Sequence, residues 1–251
     1  MHLIRPEWPA PPWVQAVATT RAGGVSTGVY AGLNLGDHVG DEPQRVARNR
    51  ALVRAALDLP TEPRWLTQVH GCVVVQGEHA APGVAADAAM TRRPGVVCAV
   101  LTADCLPLLI CDYRGRVAAA VHAGWRGLAA GVIERTLEAL GEAPADLLVW
   151  LGPAIGPTAF VVGPEVRAAF LTVDPGLAAA FHPGAGDRWL ADLYALARHR
   201  LRRAGVTGVF GGDDCTWSDP ERFFSFRRDG VTGRMASLIW LGAPAHRASV
   251  T

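Results

Sequence analysis

The sequence predicts an α/β fold of the α+β type, with a mixed sheet rather than a strict βαβ array. Three observations carry that expectation. Half of the 251 residues are hydrophobic, enough for a sizeable core. Short β-branched or Leu-rich runs alternate with stretches of helical periodicity. Several of the runs are joined by turns too short for a crossover helix, so antiparallel hairpins must mix with helices.

Residues 14–20 read as a strand, followed by a Gly-rich polar loop from Arg21 to Asn34-Leu-Gly. Asp41-Glu-Pro-Gln opens a helix, with a cap, an acidic first turn, Pro near the first position, and Val46, Val53 and Leu57 on one face. Residues 65–69 and 72–76 are short strands. Residues 96–102, 108–112 and 117–121 are apolar runs of buried-strand length, the last two joined by the turn Tyr113-Arg-Gly-Arg. Residues 127–140 form a helix striped by Val132, Ile133, Leu137 and Leu140. A strand at 147–151, a helix at 189–204 stopped by Gly205, and strands at 206–210 and 235–241 complete the chain. No repeat and no linker-like stretch divides it, so one domain is expected over residues 1–251.

Composition excludes several classes. The net charge of +1 and the high apolar content argue against disorder and against an electrostatic nucleic-acid binder. No apolar run approaches the roughly 18 residues of a membrane span, and no signal peptide is visible. A cytoplasmic location is therefore expected. All 24 basic residues are Arg, which removes lysine Schiff bases and the P-loop lysine. Any phosphate must be held by Arg, backbone N–H groups or a metal. The five cysteines include no C-x-x-C pair, as expected of reduced thiols.

The polar residues at strand exits stand out. His70 precedes Gly71, Asp104-Cys105 follows the run ending at Thr102, and His122-Ala-Gly-Trp-Arg-Gly follows residues 117–121. Reactive groups on loops at the ends of a rigid sheet are well placed for chemistry. His70, Cys105 and His122 lie 35 and 17 residues apart, so only the fold can bring them together. Such a set admits three chemistries: a zinc site with an open fourth position, a copper centre with an axial Met, or a Cys105 nucleophile with His122 as base. Copper is poorly supplied, since there are eight His and no H-x-H, and neither Met90 nor Met235 is evidently placed as an axial ligand. H-E-x-x-H, H-x-E with P-C-x-x-C, G-x-S-x-G and G-x-G-x-x-G are absent.

Arg21, Arg50, Arg126 and the Arg227-Arg228 pair supply groups for an anionic substrate. Asp87 and Asp104 sit in apolar contexts where an idle carboxylate would be costly. Asp104 reads either as the orienter of a ligand His, as an acid/base, or as a capping residue.

The same residues carry a family resemblance. Thr20-Arg-Ala-Gly-Gly-Val-Ser, Leu33-Asn-Leu-Gly, His38-Val-Gly-Asp, Asn49-Arg50 and Gln68-Val-His-Gly occur in order. Thr102-Ala-Asp-Cys-Leu-Pro, Val121-His-Ala-Gly-Trp-Arg-Gly, Leu151-Gly-Pro-Ala-Ile-Gly-Pro, Cys215-Thr216 and Phe-Ser-Phe-Arg-Arg-Asp follow. The chain resembles the bacterial YfiH proteins, the laccase-domain or polyphenol-oxidase-like family, over nearly its whole length. That resemblance implies a layered α-β-β-α sandwich related to the cysteine-hydrolase fold of cytotoxic necrotizing factor. It implies Zn2+ on His70, Cys105 and His122, with Cu2+ the alternative under the older polyphenol-oxidase label. It implies phosphorolysis of adenosine, inosine, guanosine and methylthioadenosine, with adenosine deamination besides; a peptidoglycan-precursor amidase has also been associated with the family. Cys105, Asp104 and His122 are then the expected catalytic residues, and Arg21, Asn49, Arg50, Gln68, Arg126 and Arg228 the expected substrate contacts. The expected partners are purine nucleosides and phosphate, with neither nucleic acid nor membrane.

Overall fold

The computed structural model describes residues 1–242, so the last nine residues of the expected domain lie outside the description. Thirteen strands form three sheets among these residues. The first is four-stranded, in the order β1 (Leu3–Ile4), β2 (Val14–Thr19), β13 (Met235–Leu241) and β5 (Val97–Thr102). The second is six-stranded, in the order β12 (Gly208–Gly211), β8 (Leu147–Leu151), β6 (Leu106–Asp112), β7 (Ala118–Ala123), β4 (Ala88–Thr91) and β3 (Val74–Gln76). A small third sheet joins β10 (Phe181–Pro183), β11 (Trp189–Ala191) and β9 (Val161–Val162).

The two large sheets pack face to face, and the period-2 alternation of their strands shows why. On β5, Cys98 and Val100 enter a core shared with Leu109 and Cys111 of β6 and with Ala118 and Ala120 of β7. The alternate residues Val97, Ala99 and Leu101 point the other way, onto Val53 of helix α1 (Pro43–Ala56). The other face of the six-stranded sheet carries Leu108, Ile110, Ala119 and Val121 against α2 (Trp125–Ala130), α3 (Val132–Leu140), α4 (Pro164–Leu171) and α5 (Leu193–Arg203). Each sheet is thus apolar on both faces, and the layers run α-β-β-α. This is the expected layering, and the second sheet mixes parallel and antiparallel pairs.

Several elements differ from expectation, each for a local reason. The helix expected at 127–140 is broken by Gly131, whose φ of 97° is left-handed and separates α2 from α3. The helix expected from 189 begins only at Leu193. Asp192 caps it by accepting from the Ala195 N–H at 2.9 Å, while Trp189–Ala191 form the central strand of the small sheet, paired with Phe181–Pro183 and with β9. Residues 65–69 are extended but form no named strand. Arg64 and Thr67 make isolated bridges only, and the Gln68 amide bridges to Leu101 instead, donating to its carbonyl at 2.8 Å and accepting from its N–H at 2.7 Å. Helix α4 opens on Pro164-Glu165, a start signal lying between two stretches with no strong periodicity. A one-turn helix α6 (Phe226–Asp229) follows the capping residue Ser225. No helix among the described residues is long and apolar enough to cross a membrane.

Candidate metal centre and its cavity

The loop joining the two large sheets builds the site. β5 ends at Thr102 in the first sheet and β6 begins at Leu106 in the second, so residues 103–105 cross between layers. The crossing is sharp: Asp104 has φ +93°, a conformation in which non-glycine residues are strained. Its carboxylate holds the turn, accepting from Thr216 Oγ1 and from the Arg227 N–H, both at 2.6 Å. Cys105 is thereby set at the rim, beside the end of β7. There His122 pairs with Pro107, on the strand parity that faces the other sheet.

His70 arrives from the extended 65–70 segment in another left-handed conformation, φ +59°. Asp87, fully buried just before β4, fixes it there. Its oxygens accept from the His70 N–H at 2.9 Å, the Gly71 N–H at 2.7 Å and the Val69 N–H at 3.3 Å. Oδ1 also lies 2.8 Å from His122 Nδ1. An ionised carboxylate only accepts, so Nδ1 carries the proton and Nε2 of the neutral imidazole is left with the lone pair a metal would use. One carboxylate therefore orients two of the three candidate ligands, as outer partners of metal-bound His do.

His70, Cys105 and His122 offer ligand atoms that all lie within 4.8 Å of one another. The Cys105 Sγ to His70 Nε2 separation is 3.8 Å, and the imidazoles meet edge to face at 4.8 Å between centroids. Ligands of a tetrahedral zinc ion stand about 3.5 Å apart, so two imidazoles and a thiol at these separations fit a metal with little adjustment. Gly124 leaves the space they need, since a Cβ there would stand 2.7 Å from His70 Cδ2 and 3.1 Å from Cys105 Sγ. Gly127 lets α2 approach the His70 loop, where its Cβ would meet the Gly71 carbonyl at 2.6 Å. The two glycines of His-Ala-Gly-Trp-Arg-Gly are therefore steric requirements of the centre.

Electrostatics agree with thiolate chemistry. Burial pushes the Cys105 thiol up, but the charge of His122 and hydrogen bonds from His122 and His70 outweigh it and pull the thiol down to about 6. Burial alone would lower His122; the Cys105 thiolate and the Asp87 carboxylate raise it to about 9. The other strand cysteines behave oppositely. Burial raises Cys98, and raises Cys111 to about 12, as expected of inert core thiols.

Two lobes open from the centre and share His70, Ala103, Cys105 and Phe226. One, of about 290 Å³, also presents His38, Gln68, His122 and Arg234. The other, of about 220 Å³, presents Trp125, Ile155, Phe160, Leu193, Asp104, Arg126 and Arg227. A neighbouring cavity of about 540 Å³ shares His38 and Gln68 and contains Arg50.

The remaining expected contacts divide. Arg126 faces the second lobe, its guanidinium 4.5 Å from the Trp125 ring. Gln68 lines the first, although its amide is committed to Leu101. Arg50 stands outside both, held by the Leu35 carbonyl and Asp37 and stacked on Trp65. Arg21 donates to the carbonyls of Pro220 and Ala31. Asn49 is fully buried, tying Val25, Ser26 and Asn34 of the Gly-rich loop. Arg228 is committed to Asp229 and to the carbonyls of Thr216, Trp217 and Phe223. Arg21, Asn49, Arg50 and Arg228 thus belong to the scaffold around the cavity. Sequence reasoning passed over Phe226 and Arg234 as cavity residues and singled out Asp87 without a role. Asp87 carried one signal, a carboxylate set among alanines; Phe226 lay within the Phe-Ser-Phe-Arg-Arg-Asp motif, and Arg234 carried none.

Comparisons with known proteins give the family. Residues 15–242 match the family model described as multi-copper polyphenol oxidoreductase laccase. The chain is 55% identical to the Escherichia coli K12 protein named purine nucleoside phosphorylase YfiH, covering 95% of this chain and 98% of that one. It is 52% identical to a Pseudomonas aeruginosa protein also named a purine nucleoside phosphorylase, with the same coverage. The crystal structure of the Neisseria meningitidis protein NMB0706 superposes with a TM-score of 0.93 at 51% identity, covering 96% of this chain and all of that one. With a matching family model over nearly its full length and relatives above half identity, the chain belongs to the laccase-domain family that includes the YfiH proteins.

Proposed function

We propose that the protein is a zinc-dependent purine nucleoside phosphorylase that acts on adenosine, inosine, guanosine and methylthioadenosine and also deaminates adenosine. The observation that carries the reading is the convergence of His70, Cys105 and His122 around Asp87, in a chain 55% identical to a protein named for that activity. The donor set favours Zn2+ over Cu2+. Neither Met90 nor Met235 lines the lobes, and the Met235 sulfur accepts the Phe224 N–H inside the core. Bound there, Zn2+ would supply Lewis-acid charge at the floor of the cavity.

The chain's own groups do the rest. Asp87 keeps the proton on His122 Nδ1 and the Nε2 lone pair turned to the cavity. Asp104 has both oxygens engaged, so in this reading it positions α6, and with it Phe226 and Arg227, over the opening. The apolar walls exclude water from the glycosidic bond, and Arg126 adds positive charge at the edge. The reduced state of all five cysteines accords with a cytoplasmic enzyme.

A second reading rests on a separate observation. Cys105, His122 and Asp87 form the nucleophile, base and orienter of a metal-free cysteine hydrolase or amidase. The experiment that separates them follows adenosine with and without inorganic phosphate. Phosphorolysis predicts adenine and ribose 1-phosphate only when phosphate is present. Inosine formed without phosphate would make deamination the main activity, and no turnover on any purine nucleoside would refute the proposal.

A further inference from the structure

The two lobes differ in chemistry, and the difference assigns them. The aromatic lobe has apolar walls built by Trp125, Ile155, Phe160, Leu193 and Phe226, the last 58% exposed and free to cover a ligand. A flat heterocycle buries its faces well between such side chains. Both lobes contain arginine in different settings: in the aromatic lobe the Arg126 and Arg227 guanidinium groups lie over the Trp125 and Phe160 rings, whereas Arg234 of the other lobe is fixed by backbone. Arg234 donates Nη1 to the carbonyls of Thr232 and Gly233, both at 2.9 Å, which fixes the guanidinium. Its Nε and Nη2 make no bond among the described residues, and no carboxylate pairs with it there, whereas Arg50 has Asp37 and Arg228 has Asp229. Burial lowers its pKa against the charges of Cys105 and Asp104, which raise it, and its own charge helps lower the pKa of His38 on the same wall. A half-buried guanidinium fixed by backbone carbonyls, with two donors left over and no carboxylate in an ion pair with it among the described residues, offers an anion a preset fork.

We infer that the Arg234 lobe, walled by His38 and Gln68, is the inorganic phosphate subsite, and that the Trp125–Phe160–Phe226 lobe takes the purine base. The inference rests on the phosphorylase reading. It places the ribose where the lobes meet, beside His70 and Cys105, with nucleophile and leaving group in different compartments. There an oxygen of dihydrogen phosphate forms its bond to C1′ as the bond from C1′ to the purine nitrogen breaks. The electron pair leaves with the base, which takes up the proton that phosphate gives up, and the products are free purine and ribose 1-phosphate.

Steady-state kinetics with inosine and inorganic phosphate test the assignment. Arg234→Gln removes the charge, and its KM for phosphate should rise at least about tenfold, with the KM for inosine changed less than threefold. Arg234→Lys should recover part of the loss, and Trp125→Ala, in the aromatic lobe alone, should raise the inosine KM and spare that of phosphate. A phosphate KM within threefold of wild type in Arg234→Gln, or equal rises in both KM values, overturns the assignment. Two readouts need no turnover. Inorganic phosphate should raise the Tm of the wild-type protein and not of Arg234→Gln, and should shield Arg234 of the wild-type protein from phenylglyoxal, mapped by mass spectrometry. Shielding without phosphorolysis would retain the anion site and refute the phosphorylase reading; phosphorolysis without shielding would refute the subsite alone. Neither would refute both.

Discussion

Replacing Asp87 by Asn removes one charge and almost no volume, yet should dismantle the centre. The carboxylate accepts four N–H groups: His70 N and His122 Nδ1 on or near Oδ1, and Gly71 N and Val69 N on Oδ2. An amide has one acceptor oxygen, so either choice of flip sets an NH2 against two donors. If the NH2 meets His122, the imidazole must move its proton to Nε2, and the ligand lone pair is lost. If it meets Gly71, the left-handed turn at His70 loses its anchor. Hydrogen bonds to a buried charge are worth about 1.5–3 kcal/mol each, so losing two should destabilise the fold by about 3–6 kcal/mol. Outer-partner changes of this kind weaken metal binding by about 10–100-fold. Denaturant unfolding of the metal-free protein and competition with a zinc chelator measure the two effects separately. An Asp87→Asn protein with wild-type stability and chelator resistance within threefold of wild type would refute the orienting role.

Gly124→Ala should act on the centre alone, because the added Cβ meets the exposed His70 ring and the Cys105 sulfur rather than backbone. Metal binding should weaken at least tenfold, with stability changed by less than about 1 kcal/mol, as chelator competition and thermal unfolding would show. In the metal-free protein Cys105 should be alkylated by iodoacetamide with a rate that climbs through about pH 6, while Cys98 and Cys111 stay unmodified; peptide mapping reads this directly, and added Zn2+ should protect Cys105. Acid should unfold the protein through its buried carboxylates. Burial would raise Asp87 and Asp112, but hydrogen bonds from His122 and Gly71 to the one, and from Arg116 to the other, hold both below the ordinary carboxylate value. Their stabilisation is therefore complete above about pH 4 and lost as pH falls through their depressed values. A urea midpoint unchanged between pH 6 and pH 3 would contradict this.

The legible part of the molecule is the part written in short-range pattern. Strands β2, β5, β7, β8 and β13 follow from apolar runs, and the candidate ligands from their places at strand exits. The α-β-β-α layering came from the family motifs, since periodicity alone could not set strand order. What stayed illegible depends on distant chain segments. Gln68 and Asn49 have polar side chains that look like substrate contacts, but each satisfies backbone groups from another element. Arg234 and Phe226 reach the cavity from the far C-terminal stretch, next to residues 70–122 only in space. Asp87 showed its burial in an alanine-rich context, yet its partners are backbone amides that no residue type reveals.

The most direct test is the metal content of protein purified without added metal, measured beside phosphate-dependent release of adenine from adenosine, for wild type and Cys105→Ser. The account predicts about one zinc per chain and phosphate-dependent turnover in wild type, with both lost together in Cys105→Ser. A Cys105→Ser protein that keeps its zinc and its activity, or a fully active wild-type protein without metal, would contradict it.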